Sequence, residues 1–427
     1  MRRTVVAIID CNNFYVSCER LVNPKLSRRP VVVLSNNDGC VIARAEESKK
    51  LGIKMGVPVH QIEDVIKKNQ VEIFSSNYTL YADISNRVMQ EIRLLVPLAE
   101  VYSIDECFID LSHLPEEQVE DFCLKLRQII LQNVGIPVSI GVASTKTLAK
   151  IANRYVKKHL RDRGVYYIDD PIDIQLALQA TPVEDIWGVG FQYTKLLMSR
   201  GINNALEFAL LKPEWVKKYM KITGLRTLKE LNGLACIPLE LNPQPQKNIM
   251  TSRSFGTSQD NPEKIKEAIA NFAARCAERL REQKSMANQV LVFVETNRFK
   301  PQEPQYSQSS VICFYHATNL TQDIINTAHQ AFDRVYKSGF KYKKAGVLLS
   351  DIVPEPAIQT DLFAPLDEKH KARMKQVVEV MDKYNRNNGR DKIRIAAQGF
   401  GGDWKLRQAR KSANCFTSWR ELIIVRD

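Results

Sequence analysis

Residues 100–111 read EVYSIDECFIDL. Two short apolar strands meet at Asp105-Glu106, the pattern of a β-hairpin with a carboxylate pair at its junction. Working back to the N-terminus, Thr4 to Ile9 is β-branched and apolar at nearly every position, as expected of a strand buried on both faces, and it runs straight into Asp10. FYVSCERLV (14–22) predicts a short helix stopped by Asn23-Pro24, and VVVLSNNDG (31–39) a strand followed by an Asx/Gly turn. A helix over about 43–51 closes at Gly52, and residues 79–96 carry helical spacing (Leu80, Ile84, Val88, Ile92, Leu95) ended by Pro97. Beyond the hairpin come a helix over 116–133, a strand over 137–142 and a helix over 145–158. The order is β-α-(insert)-β-β-α-β, a split βαβ sheet interrupted by residues 23–78. Asp10 and Asp105-Glu106 then fall on neighbouring central strands.

Downstream, VEDIWGVGFQYTKLLMSRGI (183–202) predicts helix, Gly-rich hairpin, helix, inside a small helical domain that ends before the linker LNPQPQ (241–246). Residues 250–353 repeat the β-α-β-β-α-β order without visible sequence repetition. A Pro-rich stretch (353–367), a helix near 368–384 and a tail follow. Ten Lys/Arg against four Asp/Glu over 384–427, with many Gly and Asn, predict a weakly packed basic appendage.

The length of 427 residues implies two to four domains. Lys and Arg number 61 against 48 Asp and Glu, a formal charge of +13 that favours a polyanionic partner. Charge alone does not choose between DNA, RNA and an anionic membrane. Nine cysteines, an odd number without a CxxC pair, point to a reducing cytoplasm, and no apolar run approaches membrane-spanning length.

No His/Cys group has zinc spacing, which leaves carboxylates as candidate ligands. Asp10 and Asp105-Glu106 repel if brought together in a partly dry cleft, and a hard divalent cation relieves that cost. Two Mg²⁺ ions in such a site suit in-line displacement at phosphorus. Taken singly, the strand-ending Asp serves equally as a helix cap, and the Asp-Glu tip as a solvated turn. Lys150, one helical turn after Lys146, together with Lys49 and Arg44, are candidate triphosphate contacts or plain surface charges.

The segments DCNNFYVSCE (10–19), ARAEESKKLGIKMG (43–56), YSIDECFIDL (102–111) and GVASTKTLAKIAN (141–153) closely resemble the Y-family, or translesion, DNA polymerases, of the UmuC type in bacterial SOS mutagenesis. The resemblance spans almost the whole chain. It implies an α+β multidomain right hand: a ferredoxin-like palm (1–22 and 79–168), inserted fingers (23–78), a helical thumb with a helix-hairpin-helix (169–240), a linker (241–249), and a second βαββαβ domain as little finger (250–353). Residues 354–427 would carry a clamp-binding peptide and the UmuC-type extension.

The family's metal ligands fall on Asp10, Asp105, Glu106 and the Cys11 carbonyl, binding two Mg²⁺ ions with Mn²⁺ as a substitute. Its nucleotide contacts fall on Phe14, Tyr15, Arg44, Lys49 and Lys150, with Tyr15 as the steric gate against a ribose 2′-OH. Where many relatives carry Tyr or Ser, this chain has Glu46, so either Arg44 supplies the missing contact or Glu46 points away. Gly188 and Gly190 of the thumb, with Arg253, Arg298 and Lys300, would hold DNA by its phosphates.

Gln359, Leu362 and Phe363 resemble the pentapeptide that enters the sliding clamp, and the tail implies a UmuD′-like dimer and RecA as partners. The expected function is error-prone, template-directed extension of primed DNA from dNTPs past lesions, in the bacterial cytoplasm and without a membrane partner. Alternatives from other classes are a nucleotide cyclase-like nucleotidyltransferase and a non-catalytic DNA-binding SOS scaffold.

Overall fold

A computed structural model describes residues 4–355, 368–402 and 404–422. It divides into two compact units, Met1–Ser35 with Gly39–Pro243 and Arg410–Asp427, and Asn36–Asp38 with Gln244–Ala409.

The first unit opens with β1 (Val6–Cys11) and α1 (Phe14–Val22). Next come β2 (Val31–Leu34), β3 (Val41–Arg44), α2 (Glu46–Lys50), α3 (Glu63–Lys68) and β4 (Glu72–Ser75). These strands form a small sheet in the order β3-β2-β4. Residues 43 and 44, expected in a helix, close strand β3 instead, because Ala43 and Arg44 pair with Val33 and Val32 before the chain turns into α2.

The chain continues through α4 (Tyr78–Leu95), β5 (Ala99–Val101), β6 (Glu106–Asp110), α5 (Glu116–Val134), β7 (Val138–Ala143), α6 (Lys146–His159) and β8 (Val165–Tyr167). Their sheet has the order β5-β6-β1-β7-β8, with β1 antiparallel to both of its neighbours. Strand alternation divides β1 between two cores. Val5, Ala7, Ile9 and Cys11 pack on the side of α4 and α5, and Val6 and Ile8 on the side of α6.

Gly141 of β7 lets α6 approach closely: a Cβ there would lie 2.2 Å from the Asn153 backbone nitrogen and 2.3 Å from the Ala149 carbonyl. Helices α7 (Pro171–Gln179), α8 (Phe191–Met198), α9 (Ala205–Ala209) and α10 (Pro213–Leu231) complete the helical part. Glu230, fully buried on α10, accepts from the Thr147 backbone N–H at 3.0 Å and from those of Cys236 and Ile237 at 2.7 and 3.0 Å. One carboxylate therefore joins α10, the start of α6 and the chain leaving the helical domain.

The second unit contains β9 (Ile249–Gln259), α11 (Pro262–Glu282), β10 (Ser285–Thr296), β11 (Ser307–Thr318), α12 (Thr321–Val335), β12 (Tyr342–Pro354) and α13 (Glu368–Asn388). The element order is that of the first sheet, but the strand order is β11-β10-β12-β9, which places the first strand at an edge. The repeated topology expected from the sequence is thus a repeat of element order only. Alternation along a strand specifies its faces but not its neighbours.

The tail is not a loose appendage. Arg281 makes a two-pronged ion pair with Asp382 of α13 at 2.7 and 2.8 Å, and Trp404 meets Phe272 edge-on with its indole N–H on Glu267. Further on, the Ser75 N–H donates to the Arg410 carbonyl at 3.0 Å, at the end of strand β4 in the first unit. These anchors come from non-local partners, so local composition did not reveal them. Gln359, Leu362 and Phe363 lie outside the described residues.

Candidate active site

Strand parity puts Asp10 and Glu106 on the α6 side of the sheet, where they are directly opposite in the β1–β6 register. Each meets a lysine from α6. Lys157 Nζ lies 2.5 Å from Asp10 Oδ2, and Lys150 Nζ donates to both oxygens of Glu106 at 2.9 and 3.0 Å. Lys150 also sits over the rings of Tyr102 and Trp187, at 4.9 and 5.5 Å from their centroids. Lys146, although on the same helix face, is buried against Glu100 and takes no part in this cluster.

Asp105 precedes β6. Its Oδ1 accepts from Ser103 Oγ at 2.7 Å, and its backbone carbonyl accepts the Cys11 N–H at 2.9 Å. Burial pushes the Asp10 carboxyl up to about 6 against the pull of Lys157, with Glu106 and Asp105 adding to the rise. Burial, reinforced by Asp10 and Asp105, likewise raises the Cys11 thiol. That thiol stays protonated, leaving only the carbonyl of Cys11 as a donor.

Asp10 and Lys157 border two cavities. One, of about 420 Å³, is lined by Glu106, Lys150, Arg154 and Trp187. The other, of about 370 Å³, is lined by Tyr15, Arg44, Lys49, Met55 and Asp105. The carboxylates are therefore shared between two recesses, and among the described residues no three His, Cys, Asp or Glu side chains converge as a ready-made metal cluster. The donor set nevertheless fits a hard divalent cation: it is all oxygen, and the ammonium of Lys157 stands against the largely covered Asp10 carboxylate, where positive charge is needed.

In the second cavity Tyr15 is half-buried and Phe14 is buried. Lys49 Nζ donates to Asn13 Oδ1 at 2.8 Å and pairs with Glu46. Arg44 lines this cavity, while Glu46 lies beside the cavity residue Lys49 with its carboxylate covered by Lys49, Asn13 and Arg161. Partial burial raises Glu46, but these three donors outweigh it and its carboxyl falls to about 2. Arg44 donates to the Ile53 carbonyl at 2.5 Å, and its buried Nε finds no partner among the described residues.

Gly188 has φ +91° in the turn before α8, a conformation that favours glycine, and Gly190 caps that helix. In the second unit Arg253, Arg298 and Lys300 are exposed. Arg298 joins Ser254, Lys343 and Lys344 around a cavity of about 770 Å³.

Sequence reading missed Lys157, Arg161, Ser103 and Trp187. Lys157 carried a usable signal, lying seven residues after Lys150 and hence on nearly the same face of α6.

A sheet covered by helices on both faces, with paired carboxylates, facing lysines and an aromatic-walled recess at one strand end, is the arrangement a nucleotidyltransferase of right-hand architecture requires. The chain matches the impB/mucB/samB family over residues 9–154, that family's C-terminal domain over 246–362, and a domain of unknown function over 375–425. Protein UmuC of Salmonella typhimurium is 38% identical across 98% of this chain and 100% of its own length. Protein SamB of the same organism is 39% identical across 97% of this chain and 98% of its own.

Among solved structures, a Y-family DNA polymerase chimera superposes with TM-score 0.65 at 21% identity, over 82% of this chain and 99% of that one. DinB from Sulfolobus solfataricus gives 0.52 at 20% identity, over the same shares. The chain belongs to the impB/mucB/samB family of Y-family DNA polymerases, and its palm, fingers, thumb and little-finger organisation is that of the family. It is a translesion-class DNA polymerase, and the cyclase and scaffold alternatives fall away. Family membership also implies a divalent metal. Among the described residues, no helix is long and apolar enough to cross a membrane.

Proposed function

We propose that the chain extends a primer past template lesions by attack of the 3′-hydroxyl on the α-phosphorus of a dNTP, releasing pyrophosphate, with catalysis centred on Asp10, Asp105 and Glu106. The observation that carries this is the direct cross-strand pairing of Asp10 with Glu106, each faced by a lysine, with Asp105 at the turn beside them.

Mg²⁺ held by these carboxylates and the Cys11 carbonyl, as two ions or with Mn²⁺ instead, would supply charge stabilisation for the displacement. The chain's own residues do the rest. Lys49 and Arg44 line the cavity of Tyr15 and Asp105, where a triphosphate gains cationic partners. Lys150 and Lys157 hold the carboxylates in place and are free to exchange onto phosphate oxygens. The charge of Glu46 is already spent on three donors, so it adds little repulsion. Tyr15, backed by buried Phe14, fills the space of a ribose 2′-oxygen.

On this reading the palm spans 1–22 and 79–168, the fingers 23–78, the thumb 169–240, the linker 241–249 and the little finger 250–353. Gly188, Gly190, Arg253, Arg298 and Lys300 track DNA phosphates. Gln359, Leu362 and Phe363 recruit the sliding clamp, and the C-terminal extension meets a UmuD′-like dimer and RecA in the bacterial cytoplasm.

The deciding experiment is Mg²⁺-dependent primer extension opposite an abasic site, with and without clamp and UmuD′-like dimer, for the unaltered chain and Asp105→Ala in parallel. Extension by the unaltered chain alone is the expected result. Nucleotide addition that survives Asp105→Ala overturns the assignment.

A further inference from the structure

The ring of Tyr15 is held from behind by α4. It stacks on Tyr81 with centroids 4.4 Å apart and planes 15° from parallel, and Tyr78 meets both rings edge-on. Tyr81 is fully buried, and its hydroxyl donates to Glu19 Oε1 at 2.6 Å. Glu19, also fully buried, lies one helical turn after Tyr15 on α1 and so shares its face.

The third participant comes from the far end of the chain. Ser412 Oγ donates to the same Glu19 oxygen at 3.1 Å, and Asn77 Nδ2 donates to both the carbonyl and the hydroxyl of Ser412 at 3.1 Å. Asn77 is the N-cap of α4, accepting from the Leu80 N–H. Two turns further along α4, the Arg87 guanidinium lies 4.6 Å from the centroid of the Phe416 ring.

A buried carboxylate with one oxygen lacking a partner among the described residues, as Glu19 Oε2 does, costs stability. Here it holds a stacked ring that could otherwise slide along its neighbour. Nothing in this chain of contacts touches the reacting atoms, so these side chains act by positioning.

We propose that residues 410–416 are a working part of the nucleotide pocket: Ser412, acting through Glu19 and Tyr81, fixes the Tyr15 ring that distinguishes deoxyribose from ribose. The proposal rests on the reading of Tyr15 as the sugar-discriminating side chain, and it gives a specific task to the end of the matched domain of unknown function.

Single-nucleotide primer extension by the full-length chain, with each dNTP and its matching rNTP, tests it. Tyr15→Ala is the control and should raise the rNTP-to-dNTP ratio of kcat/KM by about ten- to a hundredfold. Tyr81→Phe removes one hydrogen bond to Glu19 and Ser412→Ala removes two, one to Glu19 and one from Asn77; each should raise that ratio about three- to tenfold, while Ser412→Thr, which keeps the hydroxyl, restores it. A purely structural role would lower both rates together and leave the ratio unmoved. Thermal unfolding of each variant verifies folding, and Ser412, on a surface segment, can be replaced without opening a core. If Tyr15→Ala shifts the ratio but Ser412→Ala and Tyr81→Phe do not, the positioning proposal is wrong. If Tyr15→Ala itself leaves the ratio unchanged, the gate reading fails and the proposal goes with it.

Discussion

The sheet that carries Asp10 and the sheet of the second unit use one order of elements for opposite ends. In the first, the opening strand β1 is central, its strands are short, and helices cover both faces. In the second, the opening strand is an edge, the strands run 11 to 13 residues, and α11 and α12 cover one face only. On the uncovered side, β11 exposes every second residue, with Tyr315 93% exposed. A central strand ends between two neighbours, so the residue at its tip acquires partners from both, as Asp10 does from Glu106 and Ser139. A sheet with one bare face offers area instead. The first arrangement gathers carboxylates at one strand end, and the second leaves a row of alternate side chains exposed along β11.

The sharpest way to break that comparison is to remove a carboxylate. Asp105→Ala or Glu106→Ala should reduce primer extension at least about a hundred- to a thousandfold with DNA affinity retained, as read by single-turnover extension and fluorescence anisotropy. Near-normal extension by either would mean that the strand tips do not house the chemistry.

Next in size is a matched pair of glycines. Gly141→Ala drives a methyl into the backbone of α6, which cannot move aside, and should cost about 3 kcal/mol in chemical denaturation and displace Lys150 and Lys157. Gly346→Ala in β12 meets the Phe293 ring at 2.4 Å and the Ser252 Cβ at 2.6 Å, mostly side-chain atoms with some room to shift, and should cost about 1 kcal/mol. Equal costs would deny that α6 is docked on β7 more tightly than β12 is packed between its neighbouring strands.

On the binding surface, replacing Arg298 and Lys300 together with Ala should flatten the plot of log affinity against log salt by about 2, with little effect on the rate of a bound complex. An unchanged slope would remove these two side chains from the DNA contact.

The smallest effect concerns Glu46. Its folded pKa of about 2 lies below the model-peptide 4.5, so the stability it contributes is present above pH 4.5 and fades as pH falls toward 2. Glu46→Gln should therefore lower stability modestly at neutral pH, by a difference that shrinks to nothing as pH falls through that window, so that the acid limb of a stability-against-pH curve is flattened.

Much of the first unit was legible because its signals are local. Thr4–Ile9 is apolar throughout, the hairpin at 100–111 brackets its acids, and α4 and α6 show clear periodicity. The placement of Asp10 beside Asp105-Glu106 followed from element order. What escaped depends on distant partners: Lys157 meets Asp10 from 147 positions away, and two of the three donors to Glu46, Asn13 and Arg161, are remote in sequence. The edge position of β9 escaped for a related reason, since a half-buried strand of alternating pattern suits an edge or an interior equally. In the tail, Trp404 and Ser412 carry no local signal of Glu267 and Glu19, the distant carboxylates that hold them.

The Glu230 carboxylate has a mechanical consequence. Because it accepts at once from the first turn of α6 and from the chain just beyond α10, a displacement of α10 would be passed on to the helix bearing Lys150 and Lys157. A duplex that pulls on the thumb would be felt as a shift in register at the two lysines, so the fit of the template could set the readiness of the carboxylates without any large closing movement of the fingers.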